Sequence, residues 1–178
     1  MGRPLTDEQW EALFDTYRYT ARRLEPRDRY NTDNSESRQH FLAGELTDYS
    51  FMDNWTGEVR AWRAQGKRMA RVRVVTEPLS DDARYLLDVA RINVAAGDEI
   101  RYLPRRRAHE LGLGLPDEDY WIFDATTAAI IHFDDDDRPV GHELIDDPAQ
   151  IVQRLHWFDA AWHYSVSREE FAAKHGVD

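Results

Sequence analysis

The chain has no cysteine. That excludes a disulfide scaffold and any zinc or iron–sulfur site built on thiolates. Lysine is scarce as well: of 23 basic residues, all but Lys67 and Lys174 are arginine. No run approaches the roughly 20 apolar residues of a membrane-spanning helix. Residues 1–11 are polar and acidic and lack the apolar stretch of a secretion signal, so a cytoplasmic location is expected. Motifs that advertise chemistry are missing too. There is no Gly-x-Ser-x-Gly elbow and no His-Glu-x-x-His pair, and Gly112-Leu113-Gly114 lacks the third glycine and the lysine of a phosphate-cradling loop. No cofactor and no metal are expected.

What is present is an apolar, strongly acidic chain. Its 178 residues are 42% apolar and 12% aromatic, with six tryptophans. That suits one domain over residues 1–178 with a real core, and it is too apolar for a disordered acidic tail. A net charge of −11 argues against a protein that coats nucleic acid. The charge is unevenly placed. Residues 1–56 carry −4, residues 57–110 carry +4 and residues 111–178 carry −11. A basic middle with acidic flanks allows internal neutralisation through ion pairs, and it also allows a local anion site.

The pattern predicts a mixed α+β (or α/β) domain. Its central mixed sheet ends in an antiparallel meander, with helices at the N-terminus and a long C-terminal helix. Thr6-Asp7-Glu8-Gln9 reads as a capping box before Trp10, Leu13, Phe14 and Tyr17 at helical spacing. A short strand is expected at residues 19–24, a loop at 27–37, and helices at 36–43 and 51–64. The last of these presents Trp55, Val59 and Trp62 on one face. Residues 68–75 form a β-branched strand with Val72 and Val74 on one face and Arg71, Arg73 and Val75 on the other. Ser80 caps a helix at 81–90, a turn follows at 93–98, and a strand covers 99–103. Pro104 opens a short helix. Strands at 120–123, 128–133 and 141–145 make the meander. Asp147-Pro148 starts the long helix, striped by Ile151, Leu155, Phe158 and Trp162, and Ser167 caps a terminal one.

Several constellations invite function. Arg71 and Arg73 share a strand face and are expected to converge with Arg101, and with Arg105 nearby, as an anion site. The competing reading is a solvated face paired to Glu77, Glu99 and Asp124. The run Asp134, Asp135, Asp136, Asp137 has neither the glycine nor the spacing of a calcium loop, so a solvated turn is expected there. With Trp157, which breaks the stripe of its helix, it is a candidate partner surface. Among seven histidines, His132 follows Ile130-Ile131 and is the one expected to be buried, with His142 facing it across the meander. The tryptophans mostly fall on apolar faces, where core packing is their default.

Four segments carry a resemblance. They are Arg23-Leu24-Glu25, Arg71-Val72-Arg73-Val74-Val75-Thr76-Glu77-Pro78-Leu79-Ser80, Gly97-Asp98-Glu99-Ile100-Arg101-Tyr102-Leu103-Pro104-Arg105, and Tyr120-Trp121-Ile122-Phe123-Asp124 with His132-Phe133-Asp134. They resemble an uncharacterised actinobacterial family of unknown function, commonly encoded beside helix-turn-helix transcription regulators. The resemblance runs from Phe14 to Phe171 and implies no catalytic residue. A weaker likeness, of fold only, is to half of a phospholipase D-type domain, whose motif is His-x-Lys-x4-Asp. With Asp124 as the motif's aspartate, the histidine position holds Asp117 and the lysine position Asp119, so the catalytic pair is replaced by acids. The resemblance implies a non-enzymatic regulatory or interaction protein, partner to a helix-turn-helix regulator. The alternatives are a degenerate phospholipase D-like phosphodiesterase or toxin, and a sensor of an acidic metabolite with an Arg-lined cleft.

Overall fold

Thr6 caps the first helix in the manner its sequence demands. Its hydroxyl accepts from the Gln9 amide while the Gln9 side chain accepts from the Thr6 amide. The computed structural model describes residues 2–31 and 35–177. Part of the loop expected at 27–37, residues 32–34, lies outside the described residues. In chain order the elements are β1 (Arg3–Leu5), α1 (Asp7–Thr16), β2 (Thr20–Glu25), α2 (Ser35–Leu42), a 3-10 turn (Ser50–Met52), α3 (Asp53–Ala64), β3 (Arg68–Val75), α4 (Asp81–Ala96), β4 (Glu99–Pro104), α5 (Arg105–Glu110), β5 (Asp119–Phe123), β6 (Thr127–Phe133), β7 (Pro139–Ile145), α6 (Pro148–Tyr164), β8 (Val166–Ser167) and α7 (Arg168–His175).

The strands form one mixed sheet in the order β1-β7-β6-β5-β2-β3-β4-β8. β2, β3 and β4 run parallel, and every other neighbouring pair is antiparallel. The mixed α+β architecture, the meander β5–β6–β7 and the long C-terminal helix stand as the pattern predicts. Helices cover both faces of the sheet. On one face Leu24, Val72, Val74, Tyr120, Ile122 and Ile130 pack against Ile151, Phe158 and Ala161 of α6 and Ala108 of α5. On the other, Ala21, Met69, Trp121, Phe123 and Ile131 meet Phe14 of α1 and Val59 and Trp62 of α3. Farther along that face, Val75, Ile100 and Tyr102 meet Leu87 and Ala90 of α4 and Phe171 of α7.

Three details differ from the sequence pattern. The helix after Ser80 does not yield to a turn at Asn93. It continues to Ala96, because Leu87 and Ala90 keep packing and Val94 joins them, and one asparagine does not outweigh an apolar stripe. It stops at Gly97, at φ 112°, whose amide donates to the carbonyls of Asn93 and Val94. Pro104 ends β4 and caps α5, rather than standing inside the helix. The edge strands β1 and β8 were not anticipated, since three and two residues carry too little alternation to be seen.

Candidate functional site

The two apolar clusters on the second face leave a gap, and the gap is filled by charge. β2 and β3 are parallel and in register, with Arg23 opposite Arg71 and Glu25 opposite Arg73. Side chains alternate along a strand, so all four project to one face. Glu25 is 1% exposed and sits at the centre. Its Oε1 lies 2.9 Å from Arg23 Nη1 and 3.8 Å from Arg71 Nη1, and its Oε2 accepts from Arg73 Nε at 3.0 Å. Arg23 makes a two-pronged contact with Asp119, at 2.8 and 3.0 Å, and Tyr30 donates to the same carboxylate at 2.7 Å. Arg71 Nη2 approaches Asp98 at 2.5 Å. Three guanidinium groups thus face three carboxylates.

Burial and charge pull against each other here. Burial alone raises a carboxyl's pKa, but Arg23, Arg73 and Arg71 overcome it at Glu25 and take that group down to about 2. At Asp98 burial wins over Arg71, and that carboxyl is pushed up. At Asp119 burial likewise prevails over Arg23 and Tyr30. Burial disfavours the Arg23 and Arg73 cations too, yet the neighbouring carboxylates more than restore them.

Over this floor opens a cleft of about 870 Å³. Its walls are aromatic. Phe14 forms edge-to-face pairs with Trp10 at 5.2 Å, Trp55 at 5.7 Å and Trp121 at 5.1 Å. Trp55 meets Trp62 edge-on at 5.6 Å, and Tyr30 meets Phe133 at 5.6 Å. Trp10 stacks on His142 with ring centres 3.8 Å apart. Burial pushes the His142 imidazole down, so it is neutral near neutral pH. Glu11, Asp15 and Glu58 are exposed lining residues. Asn93 lines the cleft too, is 2% exposed, and its Oδ1 accepts no hydrogen bond among the described residues.

The predicted arginine site divides. Arg71 and Arg73 reach the cleft, but Arg101 and Arg105 do not join them. Arg101 lies opposite Val72 in register, so it projects to the other face. There its Nε donates to Ser165 Oγ at 2.9 Å, its Nη2 donates to the Ser165 carbonyl, and the group lies over Trp162. Arg105 begins α5 and ties loops together, donating to the carbonyls of Pro26 and Val74 and to Thr76 Oγ1. The carboxylates that meet Arg71 and Arg73 are Glu25 and Asp98; of the expected partners Glu99 pairs with the neighbouring Arg68, at 2.8 Å, and Glu77 pairs with Lys174. Asp124 instead accepts the amides of Arg18, Tyr19 and Thr20 at 2.6–2.9 Å.

The acidic run is also partly spent on the fold. Asp134 Oδ1 accepts the amides of Asp136 and Arg138, and Asp137 pairs with Arg27, while Asp135 and Asp136 are exposed. Trp157 is half-buried and packs against the core cluster that includes Phe158, so it is not a free exposed aromatic. His132 is exposed and pairs with Glu143, since it lies near the end of β6, past the buried Ile130 on the same side of the strand. His142 lies opposite Ile131, so the two histidines do not face each other. No group of three metal-ligating side chains occurs among the described residues.

Sequence reasoning did not single out Glu25, Asp119 or Asn93 as site residues; it placed the tryptophans on apolar faces, where Trp62 and Trp121 are indeed core, but not at the wall of a cleft, where Trp10 and Trp55 also stand. One signal was available. Arg and Glu at alternate positions of strands interior to a sheet mark a buried charged layer, because a central strand has no solvent side.

The fold has a likeness among solved structures. A phospholipase D family member, Nuc from Salmonella typhimurium, matches with TM-score 0.52 and 10% identity, over 88% of this chain and 86% of that one. TrmBL2, an archaeal chromatin protein, matches over 90% of this chain and 49% of that one, with TM-score 0.46 and 11% identity. At these identities the first likeness speaks for fold alone. Asp117 is exposed and Asp119 is locked to Arg23 and Tyr30. No curated protein matches the sequence. The family model that does match covers residues 8–173, and the chain therefore belongs to the family described as a domain of unknown function, DUF6879.

Proposed function

We propose that this chain is a non-enzymatic, cytoplasmic regulatory module whose cleft binds a small organic ligand. One observation carries the reading. An aromatic-walled cleft of about 870 Å³ contains a deeply buried amide oxygen, Asn93 Oδ1, with no partner among the described residues. An unpaired buried acceptor costs about 1–3 kcal/mol, and a ligand donor relieves that cost. The volume and the few polar groups among apolar walls match small-molecule sites. A degenerate phosphodiesterase is less well supported, because Asp117 and Asp119 repel a phosphate where the related motif needs a nucleophile and a cation.

The output of such a module is a helix-turn-helix regulator, as the family resemblance implies. The exposed acids of the C-terminal third suit a basic partner. Co-expression with the neighbouring regulator is expected to give a complex that loosens as salt rises.

The cleft itself is tested by thermal shift against small organic compounds. At least one is expected to raise the unfolding midpoint in proportion to the logarithm of its concentration. Trp10→Ala removes a half-buried wall and is expected to weaken that effect about tenfold or more. A screen in which nothing raises the midpoint, or in which Trp10→Ala responds as the wild type does, defeats the proposal.

A further inference from the structure

We infer that the cleft selects an organic cation with a flat apolar body. The inference rests on the cleft being a ligand site, and it adds the sign of the ligand's charge.

The argument begins with two helices. On α1, Glu11 and Asp15 are one turn apart and flank Phe14; on α3, Glu58 lies between Trp55 and Trp62 at helical spacing. Each helix therefore presents acid and aromatic side chains together, and all six line the same cleft. None of the three acids has an ion-pair partner among the described residues. Among the described residues the cleft is lined by three arginines, Arg23, Arg71 and Arg73, and by His142, whose imidazole pKa is pushed down by burial. Each arginine is already engaged: Arg23 by Glu25 and Asp119, Arg71 by Glu25 and Asp98, and Arg73 by Glu25. A floor of paired cations beneath an acidic rim favours a cation in the cleft.

The walls favour the same ligand. An aromatic ring face attracts a cation, more strongly where water is excluded. The protein already uses its own rings this way: the Arg23 guanidinium lies 5.5 Å from the Tyr30 ring centre and 5.6 Å from that of Trp121. Asn93 Oδ1 then offers an acceptor to the N–H of an amidinium, guanidinium or ammonium group. The anion expected from Arg71 and Arg73 finds no spare positive charge. Both arginines were legible in the sequence, but the carboxylates that neutralise them were not.

The test uses three probes of nearly one shape: benzamidine, a cation; benzamide, neutral; and benzoate, an anion. Binding is read by tryptophan fluorescence and by thermal shift, with the whole chain at low salt. Benzamidine is expected to bind at least about tenfold more tightly than benzamide, with benzoate weakest. The preference is expected to shrink as salt rises, because rim charges are screened. In the triple variant Glu11→Gln, Asp15→Asn, Glu58→Gln, benzamidine affinity is expected to fall to that of benzamide. These positions are exposed, so the fold tolerates the change. Benzoate or benzamide binding as well as benzamidine overturns the charge selection and leaves the cleft as a ligand site. Benzamidine binding unaltered in the triple variant overturns it as well, by placing the probe elsewhere. If none of the three moves either signal, the cation and the cleft reading fall together.

Discussion

Glu25 shows how much one side chain can be asked to hold. It is 1% exposed and lies against Arg23, Arg71 and Arg73. A buried ion pair is not by itself a large stabiliser, because both charges lose their water. Removing one partner is a different matter. Glu25→Ala leaves three guanidinium groups with only Asp119 and Asp98 between them. The expected cost is about 3–5 kcal/mol, the range for a buried charge left without its partner. Glu25→Gln keeps the volume and one acceptor for Arg73 Nε, so it is expected to cost less than the alanine. Denaturant titration of both variants decides it. A loss under about 1 kcal/mol in Glu25→Ala would mean that the outer two carboxylates carry the floor alone.

At the scale of elements, the arginine that missed the cleft has a job at the sheet's far edge. Arg101 on β4 reaches Ser165, the residue that ends α6, through both its Nε and its Nη2. Directly after Ser165 comes β8, which pairs with β4 through Arg101–Ser167 and Tyr102–Val166. A two-residue strand has almost no pairing energy of its own. Arg101→Ala is therefore expected to speed amide exchange at residues 166–167 at least about tenfold while β3 and β5 keep their protection. Unchanged exchange there would assign β8 to the packing of Phe171 instead.

The same element shows what the sequence could disclose. Strand periods, caps and the aspartate–proline helix start are local signals, so β3, β6 and α6 lie close to where pattern places them. The facing of Arg101 depends on register with β3, which no residue in β4 announces. Asp119 meets Arg23, and Glu25 meets Arg71 and Arg73, only through the order β5-β2-β3, although they are far apart in sequence. Asn93 misled because its intrinsic taste for turns lost to the apolar stripe of α4. The cleft was illegible for that reason: its walls come from α1 and α3, and its floor from strands whose adjacency is a property of topology.

For the whole molecule, the charge of −11 sets the behaviour in acid. A carboxyl whose folded pKa lies below its unfolded value stabilises the fold fully above the unfolded value, near 4.5 for Glu25. That contribution drains away as pH falls through the folded value, about 2. Burial resists ionisation at Asp124, Glu77 and Glu143, yet the Arg18, Thr20 and Tyr19 amides, Lys174, and the Gly2 amide respectively draw these groups below their ordinary values. Glu99 goes the same way through its hydrogen bond from Arg68, against a lesser burial penalty. Asp98 and Asp119 act in the opposite sense. Burial raises them, so their protonation on acidification favours the folded state. With Asp48, held down by the Ser50 amide and hydroxyl, six carboxyls are depressed against two raised, and the depressed ones set the expected sign. The denaturation midpoint is expected to fall steadily from about pH 4.5 towards pH 2. Repulsion among 23 Lys and Arg and seven His adds to the loss once the acids are neutral. Asp124→Asn isolates one contribution: it gives up the charge that holds three amides, lowers stability at pH 7, and is expected to show a shallower fall below pH 4.5 than the wild type. A midpoint that rises on acidification would mean that the two buried aspartates, and not the depressed carboxylates, govern the acid response.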